Sequence, residues 1–164
     1  MLTEDTGSRH SHFTDEVRCA VSDTMDLELA RKVLGEQPFS RLLGARVTAF
    51  GDGEASLELD IREELLQQYG FVHGGVLSYA ADNTLTLAAA TVAGPGLITS
   101  GFTIDYLRPA TGTVLRAHAR VVRAGRTRVV TRCDVVTVDD TGAESLCAVA
   151  QGNIAVLEGP GGKS

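Results

Sequence analysis

The stretch from Gly70 to Ala93 limits what this chain can fold into more than any other. Gly70-Phe71-Val72-His73-Gly74-Gly75 is a glycine-rich turn, and it opens an apolar run from Val76 to Ala93 that Gly94-Pro95-Gly96 stops. The spacing predicts one long helix, apolar around most of its circumference, which the rest of the chain has to wrap. Two residues are out of place in it. His73 stands at the mouth and Asp82 in the apolar middle. An unpartnered buried carboxylate is costly, so Asp82 has either a partner or a chemical role. The run approaches membrane-spanning length. Asp82, Asn83 and several hydroxyl residues interrupt it, which favours a core helix over a membrane span.

The flanking segments supply the wrapping. Thr24 to Glu36 carries Leu27, Leu29, Ala30, Val33 and Leu34 at amphipathic spacing, with Thr24 or Asp26 as a cap. Pro38 ends that helix, and Ser40 to Leu43 predicts a short second turn. Strand signals start at Ala45, and Gly51-Asp52-Gly53 reads as a hairpin turn. Residues 54–61 alternate, with Glu54, Ser56, Glu58 and Asp60 against Ala55, Leu57, Leu59 and Ile61. That is a strand with one wet face. Residues 62–69 read as a polar connection. Further strands are expected at 97–108, closed by Pro109, and at 113–123, 127–138 and 143–157. One helix in an antiparallel meander of five to six strands is an α+β arrangement. At 164 residues this is one domain, placed at 24–158, with a polar tail at 1–23 and a short one at 159–164. His10 and His12 fall in the first tail and read as tail residues, not as metal ligands.

Charge narrows the possible partners. The net charge of -6 weighs against nucleic acid. The cysteines (Cys19, Cys133 and Cys147) are odd in number and lack CxxC spacing, which argues against a disulfide framework or a zinc site. With no signal-like N-terminal segment, a cytoplasmic location is expected. One region departs from the acidic balance. Arg108, Arg116, Arg120, Arg123, Arg126, Arg128 and Arg132 lie between Tyr106 and Arg132 with no acid among them. Arginine forks suit phosphate oxygens, so a phosphate-bearing ligand stands beside a solvated sheet face as the reading of this patch.

His73 and Asp82 are nine residues apart, about 13.5 Å along a continuous helix and about half a turn around it. They cannot meet within one chain. They could meet if Asp82 of one subunit faced the helix start of another, as in a two-fold dimer. Gly74 and Gly75 at a helix N-terminus offer free N–H groups backed by the helix dipole, suited to an oxyanion. A carboxylate opposite them could activate water or attack directly. That pairing specifies acyl transfer to water.

Gly70-Phe71-Val72-His73-Gly74-Gly75, Ala81-Asp82-Asn83 and Ile104-Asp105-Tyr106-Leu107-Arg108-Pro109 together resemble the hotdog-fold thioesterases of the PaaI type. The likeness runs from about Leu42 to Leu157. It implies a sheet wrapped around the central helix, a homodimer that often pairs into a tetramer, and hydrolysis of acyl-CoA with no metal or cofactor. By resemblance, Asp82 is the general base or nucleophile, Gly74 N–H polarises the thioester carbonyl, and His73 orients that end. Gln67 stands where the family often has asparagine, and its neighbour Gln68 is an alternative if the loop register differs. Thr99 or Ser100 is expected to hold the attacking water. Gly75, Tyr106, Arg108, Arg123, Gly125 and Arg126 are expected near the substrate. Two other readings stand beside this one: a hydratase or dehydratase of acyl thioesters, and a non-catalytic acyl-CoA binder.

Overall fold

The computed structural model describes residues 25–157. The expectations for the two tails, for His10 and His12 and for Cys19 lie outside them. Three helices are described: α1 (Leu27–Glu36), α2 (Pro38–Leu43) and α3 (Gly74–Ala93). Six strands accompany them: β1 (Arg46–Gly51), β2 (Glu54–Asp60), β3 (Leu97–Tyr106), β4 (Val114–Ala124), β5 (Arg128–Val138) and β6 (Glu144–Val156). Every pairing is antiparallel, and the sheet curls around α3. This is the α+β hotdog arrangement.

The helix is positioned by its composition. Ala80, Ala81, Leu85, Ala88 and Ala89 are fully buried. Small side chains let α3 lie close against the inner residues of the strands, among them Leu57, Leu59, Leu115, Val129 and Val135. At Gly152 in β6 the approach is close enough that an added Cβ would meet Leu85 Cδ1 at 3.0 Å. The turn signals act as read. Asp26 caps α1, its carboxylate accepting from Leu29 N at 2.8 Å. Pro38 opens α2 instead of only ending α1, since a proline's missing N–H is harmless in a first turn. Gly94 ends α3 with φ 75°.

The sheet is not a meander. Its order is β1-β2-β4-β5-β6-β3, so β3 pairs with β6 at the far edge. The reason is α3 itself, which carries the chain across the sheet between β2 and β3. The connection before α3 contains a 3-10 turn at Glu63–Leu65 and is tied down by Gln67 N to Phe71 O (2.8 Å) and His73 N to Leu65 O (2.8 Å). The two sheet edges differ. On β1 the Arg31 side chain of α1 donates to Val47 O at 3.1 Å, whereas β3 has no partner on its outer side among the described residues. Cys133 and Cys147 are free and buried, and burial pushes the Cys133 thiol up to about 12. They are packing residues. Among the described residues no helix is long and apolar enough to cross a membrane.

Candidate active site

Two clusters of polar groups sit on α3, each braced by β3. The first is at the helix start. His73 caps α3, its Nδ1 accepting from Gly75 N at 2.9 Å, and its carbonyl accepts from Val76 N at 2.9 Å. A ring nitrogen used as acceptor puts the neutral ring's proton on Nε2, so His73 offers a donor there and not a base. Gly74 N–H has no hydrogen-bond partner among the described residues. The Tyr106 hydroxyl, from the end of β3, donates to Gly74 O at 3.1 Å and lies 2.6 Å from Ser78 Oγ. Its ring would contact a Cβ at Gly74 at 3.5 Å.

An open cleft of about 370 Å³ lies against this end, lined by Gln67, Gly74, Leu77, Tyr106, Arg108 and neighbouring residues. Gln67 Oε1 accepts from Tyr69 N at 2.8 Å. That bond fixes which end of the amide is oxygen and leaves the NH2 group as the free end. Gln67 is half-buried on the cleft, while Gln68 is exposed and does not line it. Arg108 is exposed at the cleft and makes no ion pair among the described residues.

The second cluster is at Asp82. Thr99 Oγ1 donates to Asp82 Oδ1 at 2.8 Å, and Thr86 Oγ1 lies 2.9 Å from Thr99 Oγ1. Thr99 has one proton and gives it to the carboxylate, so Thr86 is the donor to Thr99. Of the two hydroxyls proposed from sequence, Thr99 meets Asp82 and the exposed Ser100 does not. The cause is a bulge: Thr99 pairs with Ile154 and Gly101 with Asn153, leaving Ser100 as the extra residue. A cavity of about 160 Å³ adjoins this end, lined in part by Leu34, Gln37, Asn83, Thr86, Leu87 and Leu97.

The two clusters are not together in one chain. α3 is unbroken from Gly74 to Ala93, so Asp82 lies about 12 Å along the axis from Gly74. The arginine expectation also divides. Arg108 lies at the Gly74 end, but Arg123, Gly125 and Arg126 flank the β4–β5 turn. Arg128 is in register with Ala155, and Ala155 with Ile98, so that turn lies beside the start of β3. Eight residues of strand, about 26 Å, separate Ile98 from Tyr106. Arg116 is committed elsewhere, to Glu58 at 2.7 Å and to Glu144. His118 is exposed on the outer sheet face, 2.9 Å from Ser56 Oγ.

Thr86 and Ser78 were not singled out by sequence reasoning. Their only signal is position: each stands four residues after a group at the site, Thr86 after Asp82 and Ser78 after Gly74, and so shares its helix face.

Comparison with known proteins agrees with this architecture. The family described as the thioesterase superfamily matches residues 69–144, which hold both clusters. A thioesterase family protein from Silicibacter pomeroyi superposes with TM-score 0.75 at 30% identity, over 79% of this chain and 96% of that one. The phenylacetic acid degradation protein PaaI from Thermus thermophilus matches with TM-score 0.65 at 31% identity, over 74% of this chain and 100% of that one. A Listeria monocytogenes protein named 1,4-dihydroxy-2-naphthoyl-CoA hydrolase is 26% identical over 70% of this chain and 91% of its own length. With the six-stranded sheet around α3, these matches establish that the chain belongs to the thioesterase superfamily, as a PaaI-like thioester hydrolase of hotdog fold.

Proposed function

We propose that the protein hydrolyses acyl-CoA thioesters to free acid and CoA, with Asp82 as general base or nucleophile. The observation that carries this reading is a complementary pair of ends. A carboxylate is held by Thr99 at 2.8 Å, and a helix-terminal N–H at Gly74 is left unpaired. In the reaction, the thioester carbonyl accepts from Gly74 N–H while Asp82 either deprotonates water or attacks the carbonyl carbon. Negative charge then develops on the carbonyl oxygen at the positive end of α3. The Gln67 NH2 group is a second donor on that side. The thiolate of CoA leaves and takes a proton from solvent, and where Asp82 has attacked, water then hydrolyses the acyl-aspartyl anhydride to free acid and the Asp82 carboxylate. A hydratase reading needs a histidine base, and the accepting Nδ1 of His73 leaves only a donor.

The two ends would combine across a homodimer. If the free edge of β3 pairs antiparallel with its copy about a point between Phe102 and Thr103, Thr99 of each chain lies opposite Tyr106 of the other. Each Asp82 then faces its partner's Gly74. The same pairing brings the Arg123–Arg126 turn of one chain toward Arg108 of the other, where the phosphates of CoA would lie. The cavity beside Asp82 suits the acyl group. A cavity of about 150 Å³ accepts a benzene ring, which favours an aryl or short acyl group here.

Thiol release from a panel of aryl, short and long acyl-CoA esters tests the reading. Turnover is expected with the smaller acyl groups, and Asp82→Asn is expected to lower kcat about 100-fold or more. Saturable binding without thiol release, or full activity in Asp82→Asn, would overturn it.

A further inference from the structure

The peptides on either side of Gly74 are held at three of their four polar groups. His73 O accepts from Val76 N, Gly75 N–H donates to His73 Nδ1, and Gly74 O accepts from the Tyr106 hydroxyl. Only Gly74 N–H is free. Two glycines in the first helical turn have more backbone freedom than any other pair, so side-chain contacts add restraint beyond the helix's own hydrogen bonds. His73 supplies one such contact and Tyr106 the other. Tyr106 has a single proton and gives it to Gly74 O, so Ser78 is the donor in the 2.6 Å contact with Tyr106.

The result is a relay from Ser78 through Tyr106 to Gly74 O. It repeats the relay from Thr86 through Thr99 to Asp82 at the other end of β3. In both, a helix hydroxyl four residues after the anchored group donates to a hydroxyl on β3, which donates to the anchored group. Chained hydrogen bonds strengthen one another.

We propose that Tyr106, with Ser78 behind it, is a positioning residue. It fixes the Gly74–Gly75 peptide and thereby holds Gly74 N–H in the orientation that receives the thioester oxygen. This rests on the thioesterase reading, but it gives Tyr106 a role that substrate contact would not. Truncating a hydroxyl that only orients the donor lowers kcat, and truncating one that binds CoA raises KM.

The test pairs kinetics with a readout that needs no substrate. Tyr106→Phe is expected to lower kcat about tenfold with KM within about twofold. Ser78→Ala is expected to lower kcat by a smaller factor. The double variant should be no slower than Tyr106→Phe alone, because Ser78 acts through the Tyr106 hydroxyl. His73-Gly74 is the only His-Gly pair in the sequence, so carbonyl-labelled histidine with 15N-labelled glycine reports the Gly74 amide alone. In Tyr106→Phe that resonance should shift and broaden. A raised KM at unchanged kcat, multiplicative losses in the double variant, or an unmoved Gly74 resonance would each overturn the proposal. Absent thiol release from the wild type would instead overturn the thioesterase reading, and the resonance would still decide whether Tyr106 fixes Gly74.

Discussion

At the scale of single residues, the site is built from groups whose hydrogen bonds go outward. α3 contains three threonines that look alike in sequence, and their hydrogen bonds differ. Thr84 and Thr91 bond back to helix carbonyls, to Ala80 O at 2.5 Å and to Ala88 O at 2.7 Å, whereas Thr86 reaches Thr99 on β3. This is why Thr86 was not legible. A hydroxyl in an apolar helix commonly satisfies itself against the preceding turn, and nothing local marks the exception. Asp82 and Gly74 were legible, because a carboxylate in an apolar run and a glycine pair at a helix start are costly without a purpose. Thr99 and Ser100 could not be separated, since their facing depends on a bulge. The Thr99 contact gives a direct test. A hydrogen bond to a charged group contributes about 1.5–3 kcal/mol, so Thr99→Val should lower kcat about 10- to 100-fold in the thiol-release assay, and Thr99→Ser should recover most of it. Equal activity of Thr99→Val and the wild type would remove Thr99 from the mechanism.

At the scale of elements, the strands were legible from their alternation and the helix from its length. The strand order was not. Alternation says which face of a strand is buried and nothing about its neighbour, and the far-edge position of β3 follows from how α3 crosses the sheet. Two turns carry testable weight. Asp139, between β5 and β6, accepts from Thr141 N, Thr141 Oγ1 and Ala143 N at 2.8, 2.6 and 3.0 Å. These bonds favour the ionised form and hold its carboxyl below the usual carboxylate value, the Thr141 hydroxyl contributing most. A depressed carboxyl stabilises the fold fully above its unfolded value, and that contribution fades as pH falls through the folded one. The melting temperature of Asp139→Asn should therefore lie below wild type at pH 7, and the gap should narrow below about pH 4. A gap that is constant with pH would separate the turn from the charge. Gly112, before β4, has φ 149°, and an added Cβ would meet Val138 O at 2.6 Å. Both the φ and the backbone collision oppose any side chain, so Gly112→Ala should destabilise the fold by about 1–3 kcal/mol in urea unfolding.

At the scale of the whole molecule, one chain does not bring its own Gly74 and Asp82 together. α3 is continuous, so Gly74 and Asp82 face different places, and β3 ends in an edge with no cover among the described residues. A long open edge is a template for another strand, and in the homodimer proposed above a second copy would complete two sites at once. Two variants that each disable one end make this measurable. Gly74→Pro removes the free N–H and little else. Proline is accepted at a first helical position, His73 already has the extended backbone that precedes proline (φ -61°, ψ 136°), and the nearest neighbour of a Cβ there is the Tyr106 ring at 3.5 Å. Asp82→Asn disables the other end. Each homodimer should be nearly inactive, the first because loss of one oxyanion donor costs about 100- to 1,000-fold. Co-expressed in equal amounts with different tags, the two chains should form heterodimers as half of all dimers. In each heterodimer the Gly74 of the Asp82→Asn chain meets the Asp82 of the Gly74→Pro chain, giving one intact site of two. The mixture should then recover about one quarter of wild-type activity, and heterodimer isolated through both tags about one half. A mixture no more active than its parents, or a wild-type enzyme that sediments as an active monomer, would mean that Asp82 and Gly74 do not serve one site, and the chemistry would have to be assigned to one end of α3 alone.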